Sequence, residues 1–172
     1  MCLLLCLEQT LQQEQITEFD IESVVSSCVK GYQLAKPHQV FEFSTSPPSS
    51  VNQRQPIIKG APDLIAQMLD KLVSNAISFT KTGAPIVVTL QQQEDHVLLK
   101  VSNEGPQLPA QMQNALFDSM VSVRQKKGSE PHLGLGLYIV RLIAEFHHGQ
   151  VNAKNRSDVE GVEFIVKLPL SC

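Results

Sequence analysis

The chain has 172 residues, of which 42% are hydrophobic, and its formal net charge at pH 7 is -3. This length favours one domain with a short appendage, and the charge excludes the broad basic surface of a protein that binds nucleic acid without sequence preference. No apolar run approaches the roughly 20 residues that cross a bilayer, so we do not expect this chain itself to insert into a membrane.

Three helices are predicted in the first half of the chain. Residues 1–17 carry leucines one helical turn apart, which is typical of an amphipathic helix. Asp20 precedes a second segment of helical periodicity and is a suitable N-cap for a helix at 21–34. The most regular helix is predicted at 62–79, because proline is favoured in the first turn and apolar residues recur every three or four positions.

The second half combines strands, two further helices and one long loop. A short helix is predicted at 109–117 and a longer one at 135–147, closed by Gly149. Residues 118–133 are polar and basic without periodicity and predict a loop.

Over the whole chain, helices are interleaved with strands in which apolar and polar residues alternate. This order indicates a two-layer α/β sandwich, with one sheet face packed on helices. The predicted strands are 40–44, 57–59, 86–91, 97–102, 151–154 and 162–168.

The helix at 62–79 carries a polar ridge beside its apolar stripe. Gln67, Lys71, Asn75 and Ser78 follow each other at spacings of four, four and three, so they share one side of the helix. The amide oxygen of an asparagine is a suitable ligand for Mg²⁺, which keeps waters and phosphate oxygens as its other ligands. The alternative is a solvated helix face without a ligand.

A second candidate site precedes the helix at 135–147. Residues 132–137 read HLGLGL, and glycines before a helix let the backbone approach a phosphate at the positive end of the helix dipole. The basic residues Arg124, Lys126 and Lys127 come shortly before and are suited to neutralise a polyphosphate. The alternative is a tight turn leading into a helix.

A third candidate lies where the strand at 97–102 ends. The amide of Asn103 can hydrogen-bond a flat heterocycle, and Gly105 and Pro106 predict a turn directly after it. An Asx-type turn without a ligand is the alternative.

Taken in order, these three segments resemble the nucleotide-binding domain shared by sensor histidine kinases, heat-shock chaperones, type II topoisomerases and mismatch-repair ATPases. The likeness is strongest to the catalytic, ATP-binding domain of bacterial two-component sensor histidine kinases, over roughly residues 19–170. It implies a Bergerat-type ATP-binding fold, which is a two-layer sandwich with a mixed five-stranded sheet and three main helices. The catalytic domain is then expected at 18–172. Residues 1–17 resemble the tail of the helical hairpin that dimerises such kinases and carries their phosphoacceptor histidine.

The resemblance rests on four motifs. Residues 72–80 are similar to the asparagine box, 101–109 to the first glycine box, 116–118 to the phenylalanine box, and 134–137 to the second glycine box. The resemblance implies ATP and Mg²⁺ as cofactors, with Asn75 as the metal ligand and with Asn75 and Arg124 as catalytic residues. It implies nucleotide contacts for Lys71, Asn75, Ser78, Phe79, Asn103, Gly105, Phe117, Lys126, Lys127, Gly134, Leu135, Gly136 and Leu137.

Four positions depart from the family pattern. Asn103 replaces the aspartate that pairs with the adenine amino group, and Gln107 replaces the second glycine of that motif. Lys71 replaces an asparagine one turn before Asn75, while Ser78 replaces a lysine after it, so a basic group has changed sides of the phosphate site. ATP-hydrolysing relatives typically have a carboxylate where Lys71 lies. A lysine with an ordinary pKa is not a general base, and a neutral imidazole acceptor needs none.

These residues favour transfer of the ATP γ-phosphoryl group to a histidine outside this chain, because none of its five histidines lies in the setting of an acceptor helix. The resemblance implies a dimeric phosphoacceptor domain of the same full-length protein and a response-regulator receiver domain as partners. It also implies a cytoplasmic domain of a sensor anchored in the inner membrane. Two alternatives remain: a docking module that has lost its nucleotide, and an ATP-driven clamp related to chaperones and topoisomerases.

Overall fold

The computed structural model describes residues 9–46, 54–113, 115–118 and 135–171. Within them the helices are α1 (Ile21–Ala35), α2 (Pro62–Phe79) and α3 (Leu135–Phe146), with helical residues at 9–12 and a 3₁₀ turn at Ala110–Met112. The strands are β1 (Thr17–Asp20), β2 (Phe41–Ser46), β3 (Ile57–Gly60), β4 (Ile86–Gln92), β5 (His96–Glu104), β6 (Gln150–Asn155) and β7 (Gly161–Pro169). None of the helices in these ranges has the length and apolar content needed to cross a membrane.

Five of the strands form one mixed sheet in the order β2-β4-β5-β7-β6. The pair β2–β4 is parallel and the other three pairs are antiparallel. Buried and partly exposed residues alternate along β4 and β5, so one face of the sheet forms the core with the helices. The predicted two-layer sandwich with a mixed five-stranded sheet and three main helices is confirmed.

Helix α2 lies at the centre of the helical layer and has the predicted bounds. Its first turn contains Pro62, but Ala61 at the N-cap has no side chain that could accept a hydrogen bond. A residue far along the chain instead fixes the N-cap residue itself, since the backbone N–H of Ala61 donates to Nε2 of the buried His147 at 3.1 Å. The core-facing side of α2 is formed by Leu64, Ile65, Met68, Leu69, Leu72, Val73 and Ala76.

The prediction of one helix over residues 1–17 is wrong at its C-terminal end, while residues 1–8 lie outside the described ranges. Helical residues end at 12, and Thr17 begins β1, which pairs antiparallel with β3. This pairing gives the backbone of β1 hydrogen-bond partners some 40 residues further along the chain, which local periodicity does not reveal. The next helix, α1, does begin as predicted, because the Asp20 side chain accepts from the Glu22 N–H at 2.9 Å.

Two further boundaries differ from the predictions. The helix expected at 109–117 is only a 3₁₀ turn at Ala110–Met112, because the following residues turn to bury Leu116 and Phe117 in the core. Helix α3 ends at Phe146, and the residue with positive φ after it is His148 (φ 57°), not Gly149. The predicted loop at 118–133 lies outside the described ranges except for Asp118.

Candidate functional site

The three segments selected from the sequence meet around the C-terminal half of α2. A Cβ added to Gly105, just after β5, would overlap the carbonyl oxygen of Phe79 at the end of α2. A Cβ added to Gly136, in the first turn of α3, would lie 4.0 Å from Cδ of Lys71. Helix α2 therefore touches both the end of β5 and the start of α3, which brings the predicted site residues into one region.

Backbone contacts fix the junction between α2 and β5. The N–H of Lys81 donates to the carbonyl of Glu104 at 2.8 Å, and the N–H of Gly105 donates to the carbonyl of Glu160 at 3.0 Å. Gly105 is buried between these contacts, and only a residue without a side chain leaves the Phe79 carbonyl in its place. The glycine is required by close packing, which is the reason for its position in the motif.

Asn103 is the polar residue that this junction buries. It is 2% exposed, and its side-chain nitrogen has no hydrogen-bond partner among the described residues. That nitrogen lies 3.3 Å from the position of a Cβ on Gly105, so it points towards the contact between β5 and α2. A buried donor without a partner costs about 1–3 kcal/mol, and a polar ligand that accepts a hydrogen bond here would remove this cost.

Thr80 is a second buried polar group at the same junction, and the sequence analysis did not select it. Its hydroxyl oxygen also lacks a partner among the described residues. Thr80 directly follows Phe79, whose carbonyl contacts Gly105. In the sequence, Thr80 is marked only by its position at the end of the asparagine motif, because a threonine after a helix does not by itself indicate a site.

The polar ridge of α2 is only partly available to a ligand. Lys71 and Asn75 are half-buried, whereas Ser78 is exposed and its hydroxyl donates back to the carbonyl of Ser74 at 3.1 Å. The carboxylate next in sequence to Lys71 is directed elsewhere, because Asp70 accepts a hydrogen bond from the Tyr32 hydroxyl of α1. Lys71 and Asn75 are therefore the ridge residues suited to an anion and its metal.

The start of α3 lies beside the ridge of α2. Leu135, Gly136 and Leu137 form its first turn and are half-buried. Free backbone N–H groups and the helix dipole favour negative charge at such an end, and the stem of Lys71 lies beside it. Four predicted site residues lie outside the described ranges, namely Arg124, Lys126, Lys127 and Gly134.

The two aromatic residues predicted to contact the nucleotide have different environments. Phe79 is 36% exposed at the end of α2 and is free to pack on a ligand. Phe117 is buried and makes an edge-to-face contact with Phe164 of β7, with ring centroids 6.2 Å apart. Phe117 thus anchors residues 115–118 to the core. The next residue, Asp118, forms an ion pair with Arg141 of α3, with Oδ1 and Nη1 2.8 Å apart.

Asn155 holds the loop that follows Gly105, and the sequence analysis missed it. Its Oδ1 accepts from the N–H of Leu108 at 2.8 Å, and its Nδ2 donates to the carbonyl of the same residue at 2.9 Å. Asn155 ends β6 at the edge of the sheet and is half-buried. No local pattern marks it, because its partner lies 47 residues earlier in the chain.

A metal held by several protein side chains does not fit the described residues. They contain no group of three or more His, Cys, Asp or Glu side chains arranged to hold an ion. Mg²⁺ that keeps phosphate oxygens and waters as ligands needs only one or two protein oxygens. The amide oxygen of Asn75 is of the type that would suit that mode of binding.

Comparison with known proteins shows which family the chain resembles. A sequence model of the family described as histidine kinase-, DNA gyrase B-, and HSP90-like ATPase matches residues 60–171. The probable sensor kinase SilS of Salmonella typhimurium is 35% identical over 116 residues, which cover 66% of this chain and 22% of SilS. A bacteriophytochrome of Pseudomonas aeruginosa is 32% identical over 152 residues, which cover 88% of this chain and 20% of that protein. The chain thus spans about a fifth of the length of these curated relatives.

Solved structures show the same fold. The catalytic domain of histidine kinase ThkA superposes with a TM-score of 0.74 at 26% identity, and the match covers 92% of this chain and 99% of that domain. The complex of ThkA with the response regulator TrrA superposes with a TM-score of 0.70 at 25% identity, covering 91% of this chain and 42% of ThkA.

Proposed function

The chain belongs to the family of histidine kinase-, DNA gyrase B- and HSP90-like ATPases, and we propose that it binds Mg-ATP and transfers the γ-phosphoryl group to a histidine of a phosphoacceptor domain. The observation that carries the proposal is the buried Asn103 amide at the end of β5, whose nitrogen has no hydrogen-bond partner among the described residues. A ligand with a hydrogen-bonding edge satisfies this group, and the neighbouring ridge of α2 is suited to that ligand's phosphates.

The junction of α2 and β5 would hold the adenine. Asn103 would accept from the amino group of the base and donate to a ring nitrogen, while the exposed ring of Phe79 would pack on its face. Gly105 allows β5 and the end of α2 to approach this closely, since a side chain there would displace the end of α2.

Lys71 and the start of α3 would hold the phosphates. The Lys71 ammonium would neutralise negative charge next to Gly136, where the backbone N–H groups of α3 face the anion. Asn75 would offer its amide oxygen to Mg²⁺ one turn further along α2. When bound, Mg²⁺ supplies positive charge to the transferred phosphoryl group. Arg124, Lys126 and Lys127 would add further positive charge and exclude water, and Arg124 would contact the transferred group.

The absence of a carboxylate on the ridge supports a kinase over an ATP-driven clamp. Hydrolysis needs a base to activate water, and Lys71 occupies the position one turn before Asn75. The nearest carboxylate on α2, Asp70, is hydrogen-bonded to Tyr32 of α1. A neutral histidine is already a nucleophile, so its phosphorylation requires only orientation and charge neutralisation.

We place this domain within a longer sensor. The phosphoacceptor histidine would lie on a dimeric domain of the same protein, with the helical residues 9–12 in the tail of its hairpin, and the catalytic domain would begin with β1 at Thr17. A response-regulator receiver domain would take the phosphoryl group next; the complex of ThkA with TrrA supports this partner class. The sensor as a whole would be anchored in the inner membrane with this domain in the cytoplasm.

Calorimetric titration with the non-hydrolysable ATP analogue AMPPNP, with and without Mg²⁺, tests the binding step. We expect saturable binding that depends on Mg²⁺, and we expect Asn75→Ala to lose most of that dependence. Ser74→Ala, an exposed neighbour on the same helix, is the matched control and should bind as the wild type does. No saturation at millimolar AMPPNP would refute the proposal and favour the docking module.

Incubation with γ-labelled ATP and the dimeric phosphoacceptor domain of a sensor histidine kinase tests the transfer step. We expect label on the acceptor in an acid-labile, base-stable form, which identifies phosphohistidine. Rapid release of inorganic phosphate without the acceptor domain would instead indicate the ATP-driven clamp.

A further inference from the structure

We propose that the base site accepts 6-oxopurine nucleotides, such as those of hypoxanthine and guanine, as well as adenine nucleotides, and that Asn103 determines this breadth. The inference rests on the proposed function, since it requires that the junction of α2 and β5 holds a purine. It goes beyond that function by naming the class of base and the side chain that selects it.

The group that would select the base at this junction is a neutral amide buried from solvent. Asn103 is 2% exposed, so water does not compete for its hydrogen bonds. Its side-chain nitrogen has no partner among the described residues, and it lies 3.3 Å from the Cβ position of Gly105. The donor side of this amide is therefore left for a ligand by the described protein groups.

The second step is that an amide is complementary to either kind of purine edge. Adenine presents an amino donor at C6 and an acceptor at N1, whereas hypoxanthine and guanine present an acceptor at O6 and a donor at N1. An amide has one donor side and one acceptor side, and a half-turn of its terminal torsion exchanges them. A carboxylate has acceptors only, so at the same position it would face O6 with a like partial charge.

The third step concerns the neighbours of the amide, which do not fix its orientation. Thr80, the other buried polar group at the junction, has a hydroxyl that donates or accepts as required. Gly105 contributes no side chain, and the backbone groups of Lys81, Glu104 and Gly105 that join the two elements are already paired with each other and with Glu160. Of the groups at this junction, the Phe79 carbonyl is a fixed acceptor, but the Asn103 nitrogen makes no hydrogen bond to it or to any other described group.

Titration with ADP and IDP in the presence of Mg²⁺ tests the proposal, because these two ligands differ only at the edge that Asn103 would contact. We expect the wild-type domain to bind them with dissociation constants within about tenfold of each other, with GDP in the same range. We expect Asn103→Asp to retain ADP and to weaken IDP by about 10- to 100-fold, which is the cost of one unpaired buried hydrogen-bonding group. Asn152→Asp, on the exposed side of β6, makes the same chemical change and should leave both affinities unaltered.

Three results would overturn the proposal. Wild-type preference for ADP over IDP by more than about 100-fold would refute broad base selection and leave ATP binding intact. An unchanged ADP-to-IDP ratio in a folded Asn103→Asp domain would show that another group selects the base. Failure to bind ADP, IDP, GDP and AMPPNP alike would refute the proposed function itself, and the inference with it. The ratio of the ADP and IDP dissociation constants of the wild-type domain requires no variant. It therefore tests broad base selection even if a buried carboxylate at position 103 prevents folding.

Discussion

His147 stabilises the N-terminus of α2, and its replacement provides a test of how that helix is held. Because the Ala61 N–H can only donate, Nε2 of His147 must accept, and the proton lies on Nδ1, which donates to the Ile143 carbonyl at 2.8 Å. His147→Ala leaves the Ala61 N–H buried without a partner, which costs about 1–3 kcal/mol, and leaves a cavity where the imidazole was. We expect a total loss of about 2–4 kcal/mol in the free energy of unfolding.

The same contact makes the stability of the domain depend on pH. Burial lowers the pKa of His147 in the folded state, whereas in the unfolded chain it titrates near its usual value of about 6.5. Below that pH the unfolded state binds more protons than the folded state, so the free energy of unfolding falls as the pH is lowered. Between pH 7.5 and 5.5 the loss reaches at most about 1.4 kcal/mol, the value for an imidazole that stays neutral when folded.

Urea denaturation at pH 7.5 and 5.5 measures both effects. We expect His147→Ala to be less stable than the wild type at pH 7.5 and to lose less stability on acidification, because its titrating group is gone. His38→Ala, at an exposed position, should change the free energy of unfolding by less than about 0.5 kcal/mol. A wild-type pH dependence retained in full by His147→Ala would refute the assignment of a neutral capping imidazole.

Three further substitutions test the candidate site. Gly105→Ala should destabilise the fold by about 1–3 kcal/mol and weaken AMPPNP binding, because the new Cβ overlaps the backbone of α2. Its control is Gly31→Ala, where a Cβ on α1 meets open space, and this change should instead stabilise the fold by about 0.5–1 kcal/mol. Asn155→Ala should cost about 1–2 kcal/mol and speed hydrogen exchange at the Leu108 amide. Lys71→Met keeps the apolar stem beside α3 but should weaken AMPPNP by about 3- to 10-fold and leave adenosine unchanged, measured by calorimetry.

Matched controls separate these effects from general damage. Asn152→Ala removes an exposed amide from the same strand as Asn155, and Lys30→Met removes an exposed ammonium from α1. Equal losses in a control and its partner would contradict the specific roles assigned here. Equal loss of adenosine and AMPPNP binding in Lys71→Met would show that the lysine does not act on the phosphates.

Predictions made from local sequence succeeded where independent signals agreed. Helix α2 has its predicted bounds because Pro62 starts it and an apolar stripe continues to its end. Strand β1 was missed because what stabilises it is pairing with β3, a contact absent from any local window. The helix expected after Pro109 failed for a related reason, since burial of Leu116 and Phe117 took precedence over local helical propensity.

In the candidate site, too, local sequence indicated which residues are present but not what surrounds them in the fold. Asn103 was selected from its place in a motif, but its burial without a partner depends on the close approach of Gly105 to α2. Asn155 and Thr80 were missed because one acts across the sheet and the other is distinguished only by burial. Sequence patterns thus identify candidate ligand-contacting residues such as Asn103, whereas the residues that hold them in place are found only from the fold.

Helix α2 connects these observations, because distant parts of the chain hold both of its ends. His147 accepts from its N-cap, and the backbone around Gly105 contacts its last turn. The ridge with Lys71 lies between these two contacts, whereas Asn103, the residue proposed to select the base, lies on β5. In the proposed site, the spacing between the group that would contact the base and the residues that would contact the phosphates depends on how α2 is fixed to the sheet. A change at Gly105 should therefore alter nucleotide affinity even though glycine has no side chain to contact the ligand.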